Sequence, residues 1–227
     1  MARILISDPI ADKGVALLKE AGHQVDVRGG LKPDAISSII GEYDAWIVRS
    51  ATQATAELIA KGAKLKVIAR AGVGLDNVDA KAAESRGIKV MNTPGATAIS
   101  VAEHAIGLMF ALSRHLVAAD RTMRAGLWEK KRFEGRELNG KTLGLVGLGR
   151  IGQETAKRAN ALGMTVLANR SRNTKPSDDL SALGIRVLPL ERMLPQSDIV
   201  SLHCPLTDTT RNLINATTLK QMKKGAF

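Results

Sequence analysis

Val146-Gly-Leu-Gly-Arg-Ile-Gly152 decides how this chain is read. An apolar run, Lys141-Thr-Leu-Gly-Leu-Val146, leads into it, and a segment of helical period, Ile151–Leu162, follows. A second apolar run, Thr165–Ala168, comes about twenty residues later, so the glycines sit in a strand–turn–helix–strand unit. There Gly147 permits the tight turn, Gly149 lets the backbone approach a pyrophosphate, and Gly152 lets the helix pack close to the sheet. The helix start, with Arg150 and Ile151, offers free N–H groups and a positive dipole end to phosphate oxygens. This context predicts a dinucleotide site rather than a glycine-rich packing turn.

The end of the second strand distinguishes the two nicotinamide cofactors. An acid there bonds the ribose 2′-hydroxyl of NAD and repels a 2′-phosphate. Here the strand ends Asn169-Arg170-Ser171-Arg172, with no acid before Asp178. Guanidinium groups grip phosphate through paired N–H donors. Asn169, Arg170, Ser171 and Arg172 therefore favour NADP, with NAD as the alternative.

Working outward, short apolar runs alternate with helical patterns along the whole chain. Strands are expected at Arg3–Ser7, His23–Val27, Asp44–Val48, Lys66–Arg70 and Ile88–Met91. Helices are expected between them at Ala11–Ala21, Asp34–Ile40, Thr55–Lys61 and Val78–Arg86. Alternation of this kind means parallel strands with crossover helices, an α/β fold. Asn92-Thr-Pro-Gly95 is a turn signal and marks a domain boundary, giving domains at 1–96 and 97–227. One long helix is expected from Ala98 to Arg124, ended by Gly126. Val101, Ala105, Leu108, Met109, Leu112 and Leu116 form an apolar stripe along it. The second series continues with strands at Arg186–Leu188 and Asp198–Leu202 and a helix at Thr217–Met222. Lys223–Phe227 reads as the run-in to a further strand.

Composition narrows the function classes. Of 227 residues, 44% are hydrophobic, enough for real cores. The single cysteine allows no intrachain disulfide and fits a reducing, cytoplasmic setting. No apolar run approaches the roughly 20 residues of a membrane span, so no membrane partner is expected. The net charge of +11 raises the question of nucleic acid, but aromatics are only 3%, too few for a base-stacking platform. No nucleic-acid partner is expected, and anionic small ligands account better for the surplus charge. No metal site is assigned.

The chain resembles the D-isomer-specific 2-hydroxyacid dehydrogenases, most of all their phosphoglycerate dehydrogenase branch. The stretches that carry the resemblance are Val48-Arg-Ser-Ala-Thr52, Arg70-Ala-Gly-Val-Gly-Leu-Asp-Asn-Val-Asp79, Met91-Asn-Thr-Pro-Gly95, Ser100-Val-Ala-Glu-His104, Glu137-Leu-Asn-Gly-Lys-Thr142, the glycine run and His203-Cys-Pro-Leu206. They span nearly the whole chain. The resemblance implies a flavodoxin-like substrate domain and a doubly wound Rossmann cofactor domain, with the active site in the cleft. It implies substrate contacts by Arg49 and Ser50, a loop opened by Arg70 whose Val73 and Gly74 backbone groups hold the substrate carboxylate, and cofactor contacts by Gly149, Arg150, Ile151, His203, Cys204, Pro205 and Thr210. The long helix resembles the family's dimerisation arm; packing of the stripe on its own domain is the other reading.

The implied reaction moves a hydride between the nicotinamide and the carbon bearing the 2-hydroxyl. Oxidation of 3-phosphoglycerate to 3-phosphohydroxypyruvate, which opens serine synthesis, is the leading reaction. Arg170 stands where the phosphoglycerate enzymes carry an acid, which keeps an NADPH-dependent glyoxylate/hydroxypyruvate reductase open. A catalytically silent nucleotide-binding regulator is the reading from another class. The resemblance places the catalytic histidine, glutamate and arginine beyond the strand that begins at Gly225, so no catalytic residue is assigned. His23, His104, His115 and His203 are expected to be structural or solvated, and Cys204 a small buried residue. Both domains are expected to be incomplete on their C-terminal side, with Asp198–Leu202 at an open sheet edge and the chain alone inactive.

Overall fold

Each expected apolar run in the first hundred residues becomes a short strand. The computed structural model describes residues 1–170 and 183–227. It divides into two compact units, Met1–Thr97 and Ala98–Phe227. In the first, strands β1 (Arg3–Ile6), β2 (Gln24–Val27), β3 (Ala45–Val48), β4 (Val67–Arg70) and β5 (Lys89–Asn92) pair in parallel in the order β2-β1-β3-β4-β5. This is the flavodoxin-like order, with its topological switch between β1 and β3.

Helices α1 (Asp12–Glu20), α2 (Pro33–Ile39), α3 (Ala56–Lys61) and α4 (Ala80–Glu84) connect the strands. Side-chain caps start the last two: Leu58 N–H donates to Thr55 Oγ1 at 3.4 Å, and Ala82 N–H to Asp79 Oδ1 at 2.9 Å. Trp46, Tyr43, Leu5, Ile36, Ile40, Ile59 and Ile68 make the core.

The second unit holds β6 (Thr142–Val146), β7 (Thr165–Asn169), β8 (Arg186–Val187) and β9 (Ile199–Leu202), again parallel, in the order β8-β7-β6-β9. Numbered within the unit this is 3-2-1-4, the doubly wound order. The sheet is covered on both faces, which explains the continuous apolar character of β6. Leu143 and Leu145 join one buried cluster, Val146 and Leu167 the other. Gly144 lies so close to Ser197 that an added Cβ would sit 2.3 Å from its Oγ.

One expectation fails here. The helix foreseen from Ala98 to Arg124 is two helices, α5 (Ala98–Ser113) and α6 (Leu116–Arg124), broken at His115, whose φ of 54° is left-handed. The Ser113 carbonyl, which an unbroken helix would bond four residues on, instead accepts the Arg136 N–H at 2.8 Å. The returning chain ends the helix there. The expected apolar stripe also needs correcting. Val101, Leu108, Leu112 and Leu116 are exposed, and the buried face is Ala98, Ala102, Ile106, Met109 and Ser113. That face packs on helix α7 (Arg150–Ala161), whose own buried residues are Gly152, Thr155, Ala156 and Ala159. Small residues let the two helices approach, so the bulky apolar ones point elsewhere.

A short helix α8 (Leu190–Met193), unforeseen in the sequence, covers the second face of the sheet with Met193. Helix α9 is Ala216–Lys220. Strand β9 is an edge of its sheet, as expected, but the edge is partly paired. Val200 N–H donates to the Phe227 carbonyl at 2.8 Å, and Phe227 N–H to the Asp198 carbonyl at 3.2 Å. No helix among the described residues is long and apolar enough to cross a membrane.

Candidate functional site

In a parallel sheet, ligands gather at the carboxyl ends of the strands, beside the switch point. In the first unit those ends carry Ser7 and Asp8 after β1, Arg49 and Ser50 after β3, and the Gly72–Gly74 loop after β4. Asp8 is buried, 3% exposed, and its carboxylate organises the β3 exit. It accepts Arg49 N–H at 2.6 Å, Thr52 N–H at 3.1 Å and the Thr52 hydroxyl at 2.8 Å. From the other side Asn77, 5% exposed, donates through Nδ2 to the carbonyls of Arg49 at 2.5 Å and Thr52 at 2.6 Å. The backbone of the Arg49–Thr52 loop is thus clamped at both ends while Arg49 and Ser50 stay exposed. The Arg49 guanidinium donates to the Pro9 carbonyl at 3.1 Å.

Register places Arg70 beside Val48, one strand over from Arg49. Its guanidinium is held by its own loop. Nη1 donates to the Gly74 carbonyl and lies 3.5 Å from Asp76 Oδ1. The Arg70 side chain is only 13% exposed against 82% for Asp76, and its Nε has no hydrogen-bond partner among the described residues. The N–H groups of Val73 and Gly74 donate to no partner among the described residues. At Gly74 an added Cβ would lie 2.6 Å from Asp76 Oδ1 and 2.9 Å from Arg70 Nη1, so those side-chain ends would have to shift.

In the second unit the glycine turn lies between β6 and α7. Gly147 has φ of 98°, and an added Cβ would meet the backbone of His203 and Cys204 at 2.6–2.8 Å. Gly152 is buried against the turn, with the Gly147 carbonyl 2.4 Å from an added Cβ. At Gly149 an added Cβ meets nothing within 4 Å. Two of the three glycines therefore serve the fold, and the third faces open space, which fits a pyrophosphate approaching the backbone there. The first helical bond runs from Gln153 N–H to the Gly149 carbonyl at 2.9 Å. The N–H groups of Arg150, Ile151 and Gly152 precede it, so they remain available to an anion. The Arg150 side chain is exposed, with no ion-pair partner among the described residues.

Asn169 closes β7: its carbonyl accepts Gly147 N–H at 2.8 Å, and its Nδ2 donates to the Leu188 carbonyl at 3.1 Å. Arg170 follows, half-buried; Ser171 and Arg172 lie outside the described residues. After β9, His203 N–H donates to the Val146 carbonyl at 2.7 Å and its Nε2 lies 2.9 Å from Ser201 Oγ. Burial holds the His203 imidazole below its ordinary value. Cys204 is half-buried against the Val146 cluster, and Pro205 is exposed. The Thr210 hydroxyl is engaged by its own loop, donating to the Pro205 carbonyl at 2.6 Å and accepting Thr207 N–H at 2.8 Å. Thr210 shapes the loop after β9.

Each group of expected residues therefore falls at the carboxyl end of its own sheet. Asp8, Asn77 and Asn92 were given no site role in the sequence; Asn77 and Asn92 stood only within stretches that carry the resemblance, and Asn92 also as part of a turn signal. Among the described residues no cluster of His, Cys, Asp and Glu has the geometry to hold a metal ion.

Residues 106–227 match the family model for "D-isomer specific 2-hydroxyacid dehydrogenase, NAD binding domain". Over 99% of its length the chain is 46% identical to a hydroxypyruvate reductase of Thermotoga maritima, of which it covers 72%. It is 44% identical over 100% of its length to a D-3-phosphoglycerate dehydrogenase of Synechocystis sp., of which it covers 40%. A glyoxylate reductase from Paecilomyes thermophila superposes with a TM-score of 0.87 at 30% identity, over 99% of this chain and 71% of that one.

Proposed function

The chain belongs to the D-isomer specific 2-hydroxyacid dehydrogenase family, and on that premise we propose that it serves NAD(P)-dependent interconversion of a small anionic D-2-hydroxy acid and its 2-oxo acid. When bound, the nicotinamide supplies the hydride acceptor or donor. The chain's own residues do the holding. Arg150, Ile151 and the open face of Gly149 receive the pyrophosphate, with His203, Cys204 and Pro205 beside the nicotinamide ribose. Val73 and Gly74 N–H groups receive the substrate carboxylate, with Arg70 behind them. Arg49 and Ser50 take the far end of the substrate.

The substrate we propose is 3-phosphoglycerate, oxidised to 3-phosphohydroxypyruvate. The observation that carries it is the pairing of exposed, clamped Arg49 with two free loop N–H groups at one sheet edge. This suits a molecule bearing a phosphate at one end and a carboxylate at the other. A second reading, an NADPH-dependent glyoxylate/hydroxypyruvate reductase, is favoured by Arg170 at the end of β7 and by the reductase relatives. NADP is the proposed cofactor on the strength of Arg170, Ser171 and Arg172. For the 227-residue chain by itself we propose nucleotide binding without turnover, because the resemblance assigns none of its residues to acid–base work. The cytoplasm is the proposed compartment, supported by the single cysteine. A homodimer through α5 and α6 is proposed because Val101, Leu108, Leu112, Leu116 and Val117 are left exposed.

Calorimetric titration of the chain with NADPH and NADH tests the cofactor. Saturable binding, tighter for NADPH and weakened about tenfold by Arg170→Ala, is the expected result. Equal or NADH-favouring affinity refutes the NADP assignment. Competition between 3-phosphoglycerate and hydroxypyruvate for the nucleotide-loaded chain then ranks the two substrates.

A further inference from the structure

The Gly72–Gly74 loop is held by its carbonyls. Gly72 O accepts the Thr93 N–H at 2.9 Å and the Thr93 hydroxyl at 3.2 Å. Val73 O accepts Asn92 Nδ2 at 2.6 Å, and Gly74 O accepts Arg70 Nη1. Asn92 is the last residue of β5 and pairs in register with Arg70, so all three donors come from two adjacent strand ends.

Peptide geometry turns this into an aiming device. The carbonyl of one residue and the N–H of the next share a plane and point in opposite directions when the bond is trans, and no peptide bond among the described residues is cis. Fixing the Gly72 carbonyl therefore aims the Val73 N–H the other way. Fixing the Val73 carbonyl aims the Gly74 N–H. Both of those N–H groups are without partners among the described residues. Successive outward N–H groups make a concavity that attracts anions.

We infer that Asn92 and Thr93 are positioning residues for the substrate carboxylate, Asn92 setting the Gly74 N–H and Thr93 the Val73 N–H, with Arg70 bracing the loop at Gly74. The inference rests on the proposed reading that this loop holds the carboxylate. Asn92 suits the task because its amide donates without carrying charge. An aspartate of the same shape would lose the donor and set an anion against both the Val73 carbonyl and the bound carboxylate.

The test is amide NMR on the ¹⁵N-labelled 227-residue chain titrated with D-glycerate. In the unsubstituted chain the Val73 and Gly74 amides are expected to shift together and saturably. In Asn92→Ala the Gly74 response is expected to be lost while that of Val73 persists, with affinity down about tenfold, and in Asn92→Asp to fall further. A general loosening of the fold would blur both amides alike and does not produce this split. Folded Asn92→Ala with native affinity and both responses intact overturns the inference alone. Silence of both amides in the unsubstituted chain, with 3-phosphoglycerate and glyoxylate as well, overturns the inference together with the carboxylate reading. Should the variants not fold, the unsubstituted chain still decides. The Asn92 side-chain amide resonances are expected to move with the Gly74 midpoint, and an Asn92 indifferent to D-glycerate overturns the inference.

Discussion

The two glycine-rich turns, Gly72–Gly74 in the first unit and Gly147–Gly152 in the second, reach similar ends by different means. Each leaves N–H groups without partners among the described residues at the carboxyl edge of a parallel sheet. The second is shaped by what its residues lack: Gly147 takes a φ of 98° against the backbone of His203, and Gly152 sits on the Gly147 carbonyl. The first is shaped by donors, Thr93 and Asn92 reaching in from the next strand and Arg70 from the start of the loop itself. Steric permission is local and can be read from spacing. A hydrogen-bonded brace from the next strand depends on register, which spacing does not show.

The contrast makes different substitutions costly in the two units. The largest effect is expected from Gly147→Ala, which combines a positive φ with backbone contacts under 3 Å. It should cost roughly 3 kcal/mol, read as a lower urea midpoint for the second unit. A midpoint unchanged within error would show that the turn can move aside. Next comes Asp8→Ala, which strands the Arg49 and Thr52 N–H groups that its buried carboxylate now satisfies and leaves the Thr52 hydroxyl only Ser7 Oγ. A loss of about 2 kcal/mol is expected. Thermal melts of the first unit would register it, and a native melting temperature would mean water replaces the carboxylate.

Gly149→Ala sharpens the comparison from the other side. Nothing lies within 4 Å of the added Cβ, so stability should hold within about 0.5 kcal/mol. Nucleotide affinity should fall about tenfold or more by calorimetry, because the methyl occupies the space a pyrophosphate needs. Unchanged affinity would remove this face from the cofactor site.

The smallest effect concerns pH. His203 is held below its ordinary value of 6.5 by burial. Above that value folded and unfolded chains both carry it neutral, and its contribution to stability is fully present. As pH falls through it, the unfolded chain takes up the proton first, so stability declines until the lowered folded value is passed. Comparing urea midpoints at about pH 7 and about pH 5, His203→Gln should lose less than the native chain. Equal losses would assign the slope to other groups.

Much of the fold was legible because it is local. The strands at Arg3–Ile6, Ala45–Val48 and Thr142–Val146 follow from apolar runs, and the α7 start follows from Gly149. The helix after Pro94 shows the limit. Its sequence is apolar on more than one side, so periodicity selected the stripe of Val101, Leu108 and Leu112, which is exposed. The buried face was chosen by packing on α7, where both helices bury small residues, Ala98 and Ala102 on one and Ala156 and Ala159 on the other. The break at His115 was decided by Arg136, which takes the Ser113 carbonyl from a distance no local pattern encodes.

By itself, then, the order of residues determined the α/β alternation, the dinucleotide turn and the family, because each rests on spacing within a few turns of chain. Only the tertiary structure decided which helix face is covered, where the long helix ends, and that Asp8, Asn77 and Asn92 hold the loops of the candidate site. Those choices belong to contacts between segments far apart in the chain, where a side chain's partner is set by strand register and close packing and not by its neighbours in sequence.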